Sequence, residues 1–144
     1  MAEDTIEYLK LSMENENNKS ILNLTTKIIK ERKEEIIGEL PVNKNKKNEI
    51  KKKLKEYRYI DEIHELHIGA FIRWIKFHSD NEISITNGAL LTDVLFEDNI
   101  QLLLKNNMNK FFRVNFNDNL IFQKLTDQEK IILFAIDNID NLKV

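Results

Sequence analysis

His67-Ile-Gly-Ala-Phe-Ile-Arg-Trp-Ile-Lys-Phe77 is the stretch on which the fold turns. It is dense in β-branched and aromatic residues, which fit a pleated surface. In a strand, successive side chains point to opposite faces. One face here would carry Ile68, Ala70, Ile72 and Trp74, and the other Phe71, Arg73, Ile75 and Phe77. Both are largely apolar, which predicts a central strand covered on both sides.

Downstream, short apolar runs alternate with turn residues. Ser79-Asp-Asn81 reads as a turn, followed by a short strand from Glu82 to Thr86. Asn87-Gly88 is a two-residue hairpin signal, because type I′ turns need positive φ at both central positions. Ala89 to Phe96, Ile100 to Lys105, Phe111 to Phe116 and Leu120 to Leu125 read as further strands. Asn- and Asp-rich turns join them. Six short strands with tight connections predict a compact antiparallel meander, curled into a small barrel or a half-open sandwich. Thr126-Asp-Gln-Glu129 is a capping box. It opens a closing helix to about Asn141, with Ile132, Ala135, Ile136, Ile139 and Leu142 on its apolar face. Asp137 and Asp140 near its end oppose the helix dipole.

Upstream the period is helical. Residues 1–19 form an acidic arm, with a short helix over 4–13 and a loop at Glu14-Asn-Glu-Asn-Asn18. Ser20 to Leu40 is a helix whose apolar stripe runs through Ile21, Leu24, Ile28, Ile36 and Leu40, widened by Ile29 and Ile37. Lys27, Lys30, Arg32, Lys33, Glu34 and Glu35 form its solvated side. Gly38 weakens its last turn and Pro41 prevents continuation. A second helix spans 44–58, with Ile50, Leu54 and Tyr57 as a narrow apolar seam. The fold class is therefore α+β, divided as an arm (1–19), a helical region (20–65) and a β unit with its closing helix (66–144).

Composition limits the function. The 144-residue chain is 42% hydrophobic and 32% charged, which suits one globular domain with a solvated surface. It has no cysteine, so a disulfide framework, a thiolate metal site and a cysteine nucleophile are excluded. The acidic N-terminus lacks a signal-peptide core. No apolar run approaches the roughly 20 residues that span a bilayer, so membrane insertion is not expected. With three glycines, a backbone cradle for a nucleotide is hard to build, and no G-x-S-x-G, glycine-rich phosphate loop or H-E-x-x-H occurs. An enzyme is not expected, and neither is a cofactor.

The candidate sites are weighed against plainer readings. His64 and His67, interleaved with Glu62 and Glu65, have a spacing that could hold zinc on a helix. No third ligand is evident, and His78 is distant, so boundary histidines are the commoner reading. Asp80, Glu82, Asp93, Glu97 and Asp98 make a stretch without a basic residue. The EF-hand spacing is absent there, which favours a solvated acidic patch facing a basic partner, such as the lysine helix. Trp74 with Arg73 reads as a core tryptophan beside a strand-face arginine. Residues 44–58 hold eight basic residues against two acids, a local net of +6 on a chain of net charge −2. Lys46, Lys47, Lys51, Lys52, Lys53, Lys55 and Arg58 are the candidate nucleic-acid contacts. Lysines there would neutralise phosphates without reading sequence. A solvated lysine face is the plainer reading.

Gly69-Ala-Phe-Ile-Arg73-Trp74-Ile, Asn87-Gly-Ala-Leu-Leu, Phe112-Arg-Val-Asn-Phe116 and Ile121-Phe-Gln-Lys124 carry a resemblance. Residues 66–125 resemble a small β module in uncharacterised proteins of large double-stranded DNA viruses. This chain has Asn-Gly where a double glycine is usual in that module. The resemblance implies a virion-associated or intracellular accessory protein, in the cytoplasm or virus factory, and no catalytic residues. The first expectation is a non-enzymatic interaction or structural module with a protein partner or self-association. The second is a sequence-independent nucleic-acid-binding protein using the helix at 44–58.

Overall fold

A computed structural model describes residues 2–77 and 82–139. His78, the Ser79–Asn81 turn, Asp140, Asn141 and Leu142 lie outside the described residues. The chain forms two compact units, 1–32 with 125–144, and 33–124.

The larger unit is built on an antiparallel sheet of seven strands: β1 (Tyr57–Ile60), β2 (Phe71–Phe77), β3 (Ile83–Ile85), β4 (Ala89–Phe96), β5 (Ile100–Lys105), β6 (Phe111–Asn115) and β7 (Leu120–Lys124). Their order is β1-β7-β2-β4-β5-β6, with β3 also paired to β2. The α+β class and the antiparallel pairing are as expected, and the sheet is not closed into a barrel.

As its composition predicts, β2 is central, with β7 on one side and β4 and β3 on the other. Ile72 and Trp74 enter one core with Ile60, Ala89, Leu91, Leu102, Leu104, Val114 and Ile121. Every member of that core comes from a strand, so the sheet curls around it. The Trp74 ring on β2 lies 5.5 Å from Phe112 on β6. Ile75 enters a second core on the opposite face, with Phe122 of β7. That face is covered by Ile37 and Leu40 and by Ile50 and Leu54 of the preceding helical segments. Each fully buried aliphatic contributes roughly 1.5–3 kcal/mol, so a strand feeding two cores anchors the sheet.

Two connections depart from a meander. Asn87-Gly88 is not a hairpin turn. β3 pairs with Ile75–Phe77 and β4 with Phe71–Ile72, so the two follow one another along the same edge of β2. Between them the Thr86 hydroxyl accepts from Trp74 N–H (3.1 Å), and Thr86 N–H donates to the Trp74 carbonyl (3.0 Å). Gly88 has φ +98°, and a Cβ there would lie 3.2 Å from the Ile72 carbonyl oxygen. Glycine thus lets a broken strand hug β2, and the positive φ that suggested a hairpin is used for close approach. Second, β6 does not pair with β7. The chain crosses at Phe116–Asn119 from the end strand to a place between β1 and β2, a step the curl makes short.

The seventh strand was hidden in the expected helix at 44–58. Helix α3 covers only Lys44–Lys53, capped by the Asn43 side chain, which accepts from Lys46 N–H. Tyr57-Arg-Tyr-Ile60 then pairs with β7. Its aromatic and β-branched residues favour strand, and Arg58 and Ile60 alternate inward.

In the smaller unit, α1 (Ala2–Glu14) is followed by a 3₁₀ turn (Glu16–Ile21). Buried Asn18 holds that turn, donating to the Ser12 carbonyl (2.8 Å) and to Gln128 Oε1 (3.0 Å). The expected single helix from Ser20 to Leu40 is interrupted at 22–25, and α2 runs Thr26–Gly38. Helix α4 (Asp127–Asp137) opens on the predicted capping box, Thr126 Oγ1 accepting from Glu129 N–H and Glu129 Oε1 from Thr126 N–H. Ile132 and Leu133 pack with Ile21, Leu24 and Ile29. This helix belongs with the N-terminal segments, so the partition differs from the expected 1–19, 20–65 and 66–144. Asp137 does not merely oppose its own helix. Its carboxylate accepts from Thr26 N–H (3.1 Å) and from the Thr26 hydroxyl, at the positive end of α2. No helix of the described residues is long and apolar enough to cross a membrane.

Candidate functional site

Two surfaces of the larger unit hold chemistry. The first is the lysine face of α3. Ile50 and Leu54 are fully buried and fix its inward side. Lys44, Lys51, Lys52 and Lys55 are exposed, and none makes an ion pair with a described residue. At 100° per residue, Lys44, Lys51 and Lys52 lie within about 100° of one another on α3, and Lys55 stands in the turn that follows it. The remaining candidates are engaged. Glu49 lies 3.9 Å from Lys46 and 3.5 Å from Lys53. Lys47 Nζ donates to the Gly38 carbonyl at 2.6 Å.

Arg58 requires a correction. It lies on β1, is 2% exposed, and cannot reach a phosphate. Its guanidinium is 3.5 Å from Glu65 Oε1, and Nη2 donates to the Glu65 carbonyl at 3.3 Å. Glu65 Oε2 accepts from the N–H groups of Asp61 (3.0 Å) and Glu62 (3.1 Å). Fully buried Gln123 joins this network, donating to the Glu65 carbonyl (3.1 Å) and accepting from His67 N–H (2.8 Å). Glu65 and His67, which suggested half a zinc site, are thus parts of a strand-locking network. His64 Nδ1 lies 3.1 Å from Glu62. Among the described residues no three potential ligands converge on a metal position.

Two cations, Lys33 expected on a solvated helix side and Arg73 read as a strand-face arginine, are structural. Lys33 Nζ donates to the carbonyls of Leu54 (2.7 Å), Tyr57 (2.9 Å) and Lys55 (3.3 Å). Arg73 donates to the Lys53 carbonyl (3.2 Å) and lies over the Tyr57 ring. Arg73 thus meets the last carbonyl of α3, and Lys33 meets those of the turn after it and of the first residue of β1, near the negative end of the helix. Trp74 is a core residue, as expected. The acidic stretch does not meet the lysine helix through Glu97, whose carboxylate pairs with Arg113 at 3.3 Å. Asp93 accepts from Val94 N–H beside the bulge in β4, and Asp80 lies outside the described residues.

The second surface was not foreseen. Where the sheet fails to close, a cleft of about 450 Å³ opens between the end of β2 and β6. Trp74, Lys76, Phe77, Phe112, Arg113 and Val114 border it, with Asp118 and Asn119 from the crossing loop. Lys76 Nζ stands 5.9 Å from the Trp74 ring centroid. Phe77 and Phe111 are 52% and 60% exposed, unusual for phenylalanines in strands. The one available sequence signal was Phe111-Phe112, which puts an aromatic on each face of an end strand.

No known protein family, curated protein or solved structure matches the chain.

Proposed function

We propose that this chain is a non-enzymatic interaction module, with the resemblance of residues 66–125 pointing to a virion-associated or intracellular accessory role. The observation that carries the reading is the incomplete closure of the sheet, which leaves β6 as an end strand beside an aromatic-lined cleft. Natural sheets usually cover or blunt such edges, so an open one suits a docking role. Affinity capture from extracts of the cells that make the protein tests it, using the wild-type chain and Arg113→Pro. A protein retained by the first and lost with the second supports the module. Identical retained sets overturn it. Presence or absence of the protein in purified virus particles decides the virion assignment.

A second reading rests on exposed Lys44, Lys51 and Lys52 of α3 and Lys55 in the turn after it, none of them in an ion pair with a described residue. Such a face would hold a nucleic-acid backbone by charge alone, with affinity falling steeply as salt rises. Binding that persists in the chain carrying Lys51→Glu, Lys52→Glu and Lys55→Glu would eliminate this helix as its source.

A further inference from the structure

We infer that Asn87 is a site of spontaneous covalent modification, where water replaces the side-chain amide by a carboxylate through a cyclic imide formed with Gly88, and that the isoaspartyl product loosens the β3–β4 edge of the sheet.

The sequence supplies the reactive pair. Asn87 is the only asparagine followed by glycine. The attacking atom is the main-chain nitrogen of the next residue, and glycine has no Cβ to crowd its approach. Elsewhere the fold occupies asparagine side chains. The Oδ1 atoms of Asn15, Asn106 and Asn115 accept the N–H two residues on, at 3.0, 2.9 and 2.9 Å. Asn43 caps α3, and Asn18 is buried and bonded.

Nothing holds Asn87. It is exposed, and among the described residues neither its side-chain amide nor the Gly88 N–H makes a hydrogen bond. The two residues stand between β3 and β4, where neither strand's ladder on β2 extends. Their neighbours are pinned, Thr86 to Trp74 and Ala89 opposite Ile72. Arg73 adds a charge. Its Nε, buried without an acceptor among the described residues, lies 3.8 Å from where a Gly88 Cβ would stand. A guanidinium beside this amide favours loss of the amide proton and stabilises the oxyanion that follows.

The Gly88 nitrogen, its proton lost to hydroxide, bonds to Asn87 Cγ. The Cγ–Nδ2 bond then breaks, and ammonia leaves with a proton from water, which restores the hydroxide. Water opens the imide. Breaking the bond from Cγ to the Gly88 nitrogen gives aspartate. Breaking the bond from the Asn87 main-chain carbonyl carbon gives isoaspartate, with the main chain rerouted through Cγ. In net, amide and water become carboxylate and ammonium, with no redox step. The isoaspartyl route adds a methylene to the main chain between Thr86 and Gly88. Gly88 already lies against Ile72, where a Cβ would be 3.2 Å from the carbonyl oxygen, so the added length must shift a flanking pair.

The test incubates the full chain at neutral pH and physiological temperature, beside a blocked peptide of residues 84–91. Peptide mapping follows the mass gain from amide to carboxylate, and chromatography separates the aspartyl and isoaspartyl forms. Conversion is expected at Asn87 and not at the other asparagines, at a rate within about tenfold of the peptide's, and is absent from Asn87→Gln. The rate should stay flat at denaturant concentrations too low to unfold the chain, because Asn87 reacts in the folded state. Hydrogen exchange at Thr86 and Ala89 should quicken in the isoaspartyl form but not in Asn87→Asp, which carries the charge without the added methylene. A slower rate than that, equal conversion at other asparagines, or a rate that tracks the unfolded fraction would overturn the site. Unchanged exchange in the isoaspartyl form would overturn the loosening.

Discussion

The Arg58 guanidinium lies 3.5 Å from the Glu65 carboxylate, with 2% of the arginine and 14% of the glutamate side chain exposed. This pair ties β1 to the 3₁₀ turn at Ile63–Glu65, and through Gln123 to the neighbouring strand. Removing one partner strands the other away from water. Arg58→Ala should cost about 3–5 kcal/mol, the scale for breaking a buried pair. Arg58→Met combined with Glu65→Gln should cost less than the sum of its single changes, with a coupling of about 0.5–3 kcal/mol. Denaturant midpoints of the four chains check this. Additive losses would mean the pair is incidental.

Gly88 and Gly38 should respond in opposite directions to alanine. At Gly88, φ +98° and the 3.2 Å approach to the Ile72 carbonyl leave no room for a methyl group. Gly88→Ala should destabilise by about 1–3 kcal/mol. Gly38 ends α2, and a Cβ there meets nothing within 4 Å. Gly38→Ala should stabilise by about 0.5–1 kcal/mol. Thermal or denaturant unfolding of the two variants separates the cases.

These residues also show what the sequence could convey. Period-two alternation placed β2 between two cores, because both its faces are apolar and no other element suits that pattern. The Thr126–Glu129 box was legible because capping is local chemistry. Arg58 was misplaced for a physical reason: its neighbours Ile50, Leu54 and Tyr57 fit a helical period as well as a helix followed by a strand. The Asn87-Gly88 signal implied positive φ at both positions; only Gly88 has it, and its use depends on the distant Ile72 carbonyl. The cleft was illegible altogether. It arises where β6 finds no partner, a property of the whole sheet and of no segment. The basic stretch was legible as charge, but only the fold separates outward Lys51 from buried Arg58.

Lys33 should matter more than its place among exposed charges suggests. Its ammonium gathers the carbonyls of Leu54 and Lys55 in the turn after α3 and of Tyr57 at the start of β1. Lys33→Met keeps the aliphatic stem and removes the donors. A loss of about 1–3 kcal/mol is expected, the range for hydrogen bonds to a charged group. Hydrogen exchange should quicken first in the last turn of α3, at residues 50–54. Uniform acceleration across the sheet would show that Lys33 acts through packing instead.

Tyr59 sets a limit on stability in alkali. Burial raises the pKa of its phenol above the usual value of about 10, and the carboxylates of Asp61 and Glu65 push it the same way. In the unfolded chain the phenol ionises near pH 10. Between that pH and the raised folded value, the folded chain holds the proton more tightly, so the unfolded state binds fewer protons. Stability from this group is therefore complete below about pH 10 and declines as pH rises through the folded pKa. Tyr59→Phe should flatten the decline above pH 10 while changing little near neutrality, since the ring still packs 5.6 Å from Phe122. Ultraviolet titration of tyrosinate alongside unfolding at several alkaline pH values checks it. An unchanged alkaline slope in the phenylalanine variant would move the effect to another residue.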